Sequence, residues 1–444
     1  MIPRLERETT VAAAEMAPQW SLASRIGFRF AFSYFLLYVA PGPIGSLSNY
    51  NSLETLNGGL WSRIWHPVVS LVGTHLLHLS GDLRELPTGS GDELYDYVLI
   101  LCIALAAALI TGIWSWVDRR RPNYIQLNEW LRLLMRMTLG WAMLGYGVKK
   151  LLAAQFTPPS LSRLMQPFGQ ASPLGLMWTF MGASQPYSFF GGLGETAGGA
   201  LVLFPRFVTL GSLISLAMTT NVLMMNLAYD VPRKIFSIHL MLMCLYLLLP
   251  DVRRLTNVLV LNRRAEPVPE ILLFKDKLLQ WGTLALPILF GAYVAFIAGR
   301  QSIEDAKTLT ATLAAPIRGI WSVNEFLVDG VPQLARPGDP DRWQNVIFDD
   351  PKILDIQAMN GMPRHYALEL DTAQKTVSLR IPDDPKWKGS LTVEFSQPDR
   401  MILQGDFGPH QVRATLNRID LSDPERFLLV NRGFHWVNPY VNNR

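Results

Sequence analysis

Between residues 25 and 300 the chain carries one apolar run after another, several of them long enough to cross a bilayer. That pattern leaves few folds open. A backbone in hydrocarbon must satisfy its own polar groups, so such runs are read as membrane-spanning helices. About seven spans are expected, at 26–44, 97–117, 130–153, 187–204, 207–227, 235–249 and 278–298. Proline or basic residues close several of them: Pro41-Gly42-Pro43, Asp118-Arg119-Arg120-Arg121-Pro122, Pro205-Arg206 and Pro250.

The rest of the organisation follows from what lies between and after these runs. Residues 1–24 are polar and do not resemble a cleaved signal peptide, so they are expected as a cytoplasmic arm with the first span as an uncleaved anchor. Residues 25–128 hold the first two spans and a connection in which 60–79 reads as an amphipathic helix. Its Trp61 and Trp65 suit an interface. Residues 252–300 hold a basic loop and the last span. The basic clusters Arg119–Arg121, Arg206 and Arg253–Arg264 fall on the same side as the N-terminus. The positive-inside rule makes that side cytoplasmic, which predicts an inner-membrane protein with its C-terminal tail in the periplasm.

From residue 301 the pattern changes to short alternating runs at 319–323, 343–348, 366–370, 376–381, 390–395, 400–404, 412–419 and 427–431, separated by Pro, Gly and Asp. Strands at this spacing predict an antiparallel β-barrel or sandwich over 301–444. The tail has 16 Lys and Arg against 19 Asp and Glu and no basic run, so nucleic acid is not an expected partner. The basic membrane part points to lipid headgroups instead. The fold class is therefore an α-helical polytopic membrane bundle with a C-terminal antiparallel β-barrel.

Ionisable groups inside the spans are costly, and each one is a functional-site hypothesis. The run Gly191–Pro205 is apolar and glycine-rich, and carries one carboxylate, Glu195. With seven spans, Lys149, Lys150, Glu195, Asp230 and His239 fall at one depth, in the outer third of the membrane. Such a group contains a base, an acid and an imidazole that switches near neutral pH, which can exchange protons with a lipophilic substrate. Tyr146 and Asn226 stand beside it, and Arg136 lies deeper in the third span. The alternative is an ion pair that only locks helices. Glu129 and Arg132 are expected to pair at the interface. No metal is expected. Cys102 and Cys244 lie in spans, and His75 and His78 lack a third ligand. No nucleotide, flavin, GxSxG, HExxH or EF-hand motif is present.

Two resemblances sharpen these expectations. Arg136-x3-Gly140 with Gly147-x-Lys149-Lys150, followed by Gly194-Glu195-x2-Gly198-Gly199-x-Leu201, resembles the DoxX family of small four-helix membrane proteins over about 129–251. That resemblance implies a four-helix membrane core. It also implies a link to quinone-coupled oxidation of sulfur compounds, with a partner redox protein. A more distant resemblance, to the membrane part of vitamin K-dependent carboxylases, implies a lysine base acting on a quinol. The opening Gly319-x-Trp321 of the tail resembles the first strand of lipocalin-like barrels, which implies that a late arginine, Arg418 or Arg432, stacks on Trp321. Met401, Phe407, Phe427 and Phe434 are then candidates to line a small-ligand cavity.

Two functions are expected from this reading. The first is a quinone-linked redox subunit in which Glu195 and Lys150 manage protons. The second is a non-catalytic protein that binds and transfers a lipid or another lipophilic small molecule through the barrel.

Overall fold

The structure, a computed structural model, describes residues 19–39, 61, 63–80, 83, 90–266, 273–274, 276–371, 374–382, 384–423, 425–433 and 436–437. In chain order its helices are α1 (Leu22–Val39), α2 (Leu94–Val117), α3 (Ile125–Leu151), α4 (Leu161–Met165), α5 (Pro173–Ala183), α6 (Gln185–Leu203), α7 (Val208–Ala228), α8 (Lys234–Leu248), α9 (Val252–Leu259), α10 (Lys277–Leu313) and α11 (Leu428–Asn431). The chain divides into two units, 1–151 with 190–299 and 152–189 with 300–444.

The first unit is helical. Four stretches among the described residues are long and apolar enough to cross a membrane: Leu94–Val117, Pro205–Ala228, Lys234–Leu259 and Lys277–Leu313. Helices α1, α3 and α6 occupy the other expected places, but they are less apolar. Arg25 and Arg29 interrupt α1, five charged side chains interrupt α3, and glycines dilute α6.

The core of this unit joins α1, α3 and α8 through Phe28, Phe35, Leu139, Met143, Met243 and Leu247. The buried Arg29 is fully engaged there. It donates to the Tyr124 hydroxyl, to Ser115 Oγ at 2.8 Å and to the Asp118 carbonyl at 2.7 Å. The helix over 63–71 runs into a π turn, Val72–Leu76. Trp65 is buried with Val69 against Tyr95, Val98 and Cys102, while Ile64, Val68 and Leu71 of the same helix are exposed.

The second unit is an antiparallel barrel. Its strands are β1 (Gly319–Val328), β2 (Val331–Pro332), β3 (Trp343–Asp350), β4 (Ile353–Ala358), β5 (Pro363–Asp371), β6 (Thr376–Ile381), β7 (Asp384–Gln397), β8 (Arg400–Phe407) and β9 (His410–Arg418). Each of β3 to β8 pairs with the next, β1 pairs with β3, and β1 also pairs with β9. Eight strands thus close on themselves and leave no open sheet edge, with the two-residue β2 appended to β1.

Inward positions are filled. Trp321, Val377, Leu391, Met401, Leu403 and Leu416 are fully buried, and Phe326, Trp343, Tyr366, Trp387 and Phe407 form a run of contacting rings. Trp321 Nε1 donates to the Ile317 carbonyl at 2.9 Å. The Arg418 guanidinium, in register with it on β9, lies 5.2 Å from its ring centroid.

Three expectations change here. The strand β4 was missed, because Asp355 and Gln357 put polar side chains at buried positions and break the apolar alternation. They are satisfied internally, Gln357 by Asn345 and Asp355 by Ser162 and His365. The run 427–431, expected as a strand, forms the short helix α11, since Phe-Leu-Leu-Val-Asn has no period of two. Residues 152–189, expected inside the 129–251 core, fold with the barrel instead. Leu161 of α4 packs on Ile320, Ile347, Ile419 and Phe427, and its N–H donates to Asp349. Phe434 lies outside the described residues.

Trp321 closes the barrel interior, so Trp321→Ala should destabilise this unit by about 3–5 kcal/mol. Pulse proteolysis of the full-length protein across a urea series should show earlier cleavage within 301–444. An unchanged midpoint would contradict this packing.

Candidate functional site

Helices α3 and α6 approach closely where glycines lie at their crossing. A Cβ on Gly147 would stand 2.4 Å from Thr196 Oγ1, 2.7 Å from the Thr196 backbone nitrogen and 3.0 Å from the Gly192 carbonyl. A Cβ on Gly192 would stand 2.8 Å from the Gly147 carbonyl and from Lys150 Cβ. On α6, Gly192 and Gly199 face α3, whereas Gly194 and Gly198 face Met218 and Ser215 of α7. Small residues on both sides let α6 sit as a thin wedge between two neighbours.

That close crossing sets the charges. Lys150 is one turn beyond Gly147, and Glu195 one turn beyond Gly192. Lys150 Nζ lies 2.6 Å from both carboxylate oxygens of Glu195. The two side chains are only 6% and 5% exposed. A buried ammonium or carboxylate alone is strongly disfavoured, and two-point contact at short range compensates part of that loss. The Tyr146 ring centroid is 6.0 Å from Lys150 Nζ. The Thr196 hydroxyl, next to Glu195 in sequence, is buried with no hydrogen-bond partner among the described residues.

The other expected residues divide. His239 is buried, but its polar contacts are to α1 and its own helix. Its Nδ1 lies 2.7 Å from the Ile235 carbonyl, which can only accept, so that nitrogen carries a proton. Its Nε2 is then free to accept from the Tyr34 hydroxyl, 2.7 Å away, in the neutral ring. Tyr38 stacks on the imidazole at 3.8 Å.

Asp230 does not join the pair. It is 84% exposed at the end of α7 with a positive φ of 51°, and it bonds Lys234. The chain has already left the helix at Ala228, so this carboxylate pairs across its own turn and not with Lys150. Asn226 is buried and braces the same turn through the Arg233 carbonyl and Ser237. Arg136 donates to the carbonyls of Val202 and Leu203, satisfying the C-terminal end of α6. Lys149 is half-buried beside the pair in sequence. Trp321 belongs to the barrel interior, and Glu129 pairs with Arg132 at 3.6 Å as expected.

Tyr34, Tyr38, Arg29 and Tyr124 were not singled out as site residues. In the sequence Arg29, Tyr34 and Tyr38 are the basic and aromatic residues of the first span, and Tyr124 lies in the connection between the second and third. Their partners lie far along the chain, and a lone sequence gives no signal for such pairs. Among the described residues no group of His, Cys, Asp and Glu is arranged to hold a metal.

This architecture, four apolar helices of spanning length with a buried ion pair and a closed eight-stranded barrel, places the chain with helical membrane proteins carrying a β-domain. No family model matches it, and no solved structure does. It is similar to YwoB of Bacillus subtilis (strain 168), an uncharacterized protein, with 32% identity over 136 residues, which is 30% of this chain and 82% of that protein. Over that stretch the chain belongs to the family of YwoB.

The crossing predicts a contrast within one helix. Gly147→Ala should force α3 from α6 and lower the melting temperature in detergent, at a cost of about 1–3 kcal/mol. Gly145→Ala, with nothing within 4 Å of the added carbon, should not. Equal melting of the two variants would contradict the close approach.

Proposed function

We propose that the protein handles a lipophilic molecule, a quinone or a lipid-like compound, in its helical bundle, with Lys150 and Glu195 holding and exchanging a proton at its polar end. The observation that carries this reading is the buried two-point contact between Lys150 and Glu195 in an apolar bundle. Buried ion pairs are weak contributors to stability, and an apolar pair of equal volume often serves a fold as well. A pair kept in such surroundings is better accounted for by chemistry than by packing. The Thr196 hydroxyl, without a hydrogen-bond partner among the described residues, adds a polar group at the nearby crossing beside Gly147.

A carbonyl or hydroxyl oxygen of the lipophile would take the place of one partner of the ion pair. Lys150 donates to that oxygen and Glu195 receives the proton in the reverse direction. In the quinone-linked version the electrons come from a partner redox protein. Tyr34 and His239 form a second proton-carrying contact in the same unit. The barrel interior is occupied by large side chains, so this reading assigns the handling of the molecule to the helices.

The topology belongs to the same proposal. Helices α1, α3 and α6 complete seven spans, the basic loops face the cytoplasm, and the tail stands outside an inner membrane. In support, α3 with 27 residues reaches about 40 Å at the usual helical rise, enough to cross the hydrocarbon despite its charges.

Quenching of tryptophan fluorescence by a short-chain quinone tests the site in the purified full-length protein. Glu195→Gln should weaken binding by about tenfold or more. The double variant Lys150→Met with Glu195→Leu removes both charges together, so it should fold and still fail to bind. Wild-type binding by the folded double variant would reduce the pair to a helix lock and overturn the reading.

A further inference from the structure

A second polar site lies in the 152–189 stretch, where the site discussed so far has no residue. A pocket of about 370 Å³ is lined by Thr157, Ser160, Arg163, Ser172, Gly175 and Trp178, with Pro158, Pro159, Leu174 and Thr179 completing its wall. The volume falls within the usual range for small-ligand sites.

Its charge is positive and built in. The Arg163 guanidinium lies flat on the first turn of α5. A Cβ on Gly175 would stand 2.7, 2.8 and 2.9 Å from Nη1, Nη2 and Cζ, so a side chain there would push the guanidinium aside. Gln166, a neutral group, accepts from Nη1 and fixes the plane of the fork. No carboxylate is within ion-pair distance of Arg163 among the described residues.

The placement is electrostatically of the wrong sign for a purely structural contact. An arginine stabilises a helix at its C-terminal end, where Arg136 serves α6; Arg163 belongs to the last turn of the short α4, but its guanidinium reaches the positive N-terminal end of α5. Two positive groups side by side are reconciled by an anion between them. Hydroxyl donors surround the place. Ser160 and Ser172 each accept a backbone N–H, from Arg163 and Gly175, which leaves their own protons to give. Thr157 adds a third hydroxyl. A fork and several hydroxyls suit the many acceptor oxygens of a tetrahedral oxyanion better than the two of a carboxylate. Leu174, Trp178 and the two prolines give an apolar wall for the rest of an ester.

We infer that this pocket binds a phosphate group, as free phosphate or as the headgroup of an anionic phospholipid. The inference stands apart from the Lys150–Glu195 reading, and neither depends on the other.

Isothermal titration of the full-length protein in a maltoside detergent, which contributes no phosphate, tests it with two probes: inorganic phosphate and dihexanoyl phosphatidylglycerol. Saturable binding of inorganic phosphate assigns the site to the free anion, and binding of the lipid alone assigns it to a headgroup. In either case Arg163→Gln should weaken binding by about tenfold or more. Gly175→Ala should also weaken it, by displacing the guanidinium with the charge retained. Arg413→Gln, an exposed barrel arginine, removes the same net charge and should bind as the wild type does. Binding of neither probe, or undiminished binding by Arg163→Gln and Gly175→Ala, would overturn the inference.

Discussion

A charge buried in an apolar bundle must find its counter-charge, and the first unit of this protein is arranged around one such requirement. Lys150 and Glu195 come from helices that are neighbours only because glycine faces glycine where they cross. A side chain at Gly147 or Gly192 would hold the two backbones apart, and a lengthened contact would leave each charge partly unpaired in a medium that solvates it poorly. The same thinness of α6 lets α7 pack on its other side through Gly194 and Gly198. Arg136 then satisfies the last carbonyls of α6, so a second, partly buried charge is tied to the same helix. The glycine-rich run is thus a packing device that also brings two ionised groups into contact.

Much of this was legible because it is local. Apolar runs bounded by proline and arginine placed α6, α7 and α8 to within two residues, whereas α1 begins and ends four to five residues earlier than expected and α10 runs fifteen residues past its expected end. The glycine spacing around Glu195 showed that α6 allows close approach. Lys150 was placed beside it by depth, and the contact is made because the close crossing at Gly147 and Gly192 lies one turn before both residues. Asp230 failed by the same reasoning, since depth along a helix says nothing once the chain turns out of it. His239 was placed correctly inside the protein but with the wrong companions. Its contacts, Tyr34 and Tyr38, come from a helix two hundred residues earlier in the chain, where periodicity cannot reach.

The barrel was legible where its strands alternate and not where buried polar groups or a continuous apolar run break the alternation. Buried Asp355 and Gln357 hid β4, and a continuous apolar run disguised α11 as a strand. Gly319-x-Trp321 signalled the opening strand, and Arg418 on the tryptophan ring followed from closure between β1 and β9. The stretch from 152 to 189 was the least legible. It reads as a connection between spans, yet it supplies α4 to the barrel wall and α5 to a pocket with a seated arginine. Polar chemistry therefore occurs in both units. In the first it is an ion pair enclosed by helices, and in the second a cation beside a helix N-terminus.

The central claim is that the Lys150–Glu195 contact meets a lipophilic molecule and is not only a lock between helices. Infrared difference spectroscopy of the full-length protein addresses it at the carboxylate itself. On addition of a short-chain quinone, the carboxylate stretching band of Glu195 should shift as the lysine contact is shared, and the shift should be missing in Glu195→Gln. A difference spectrum at saturating quinone with no carboxylate component that Glu195→Gln removes would contradict the account.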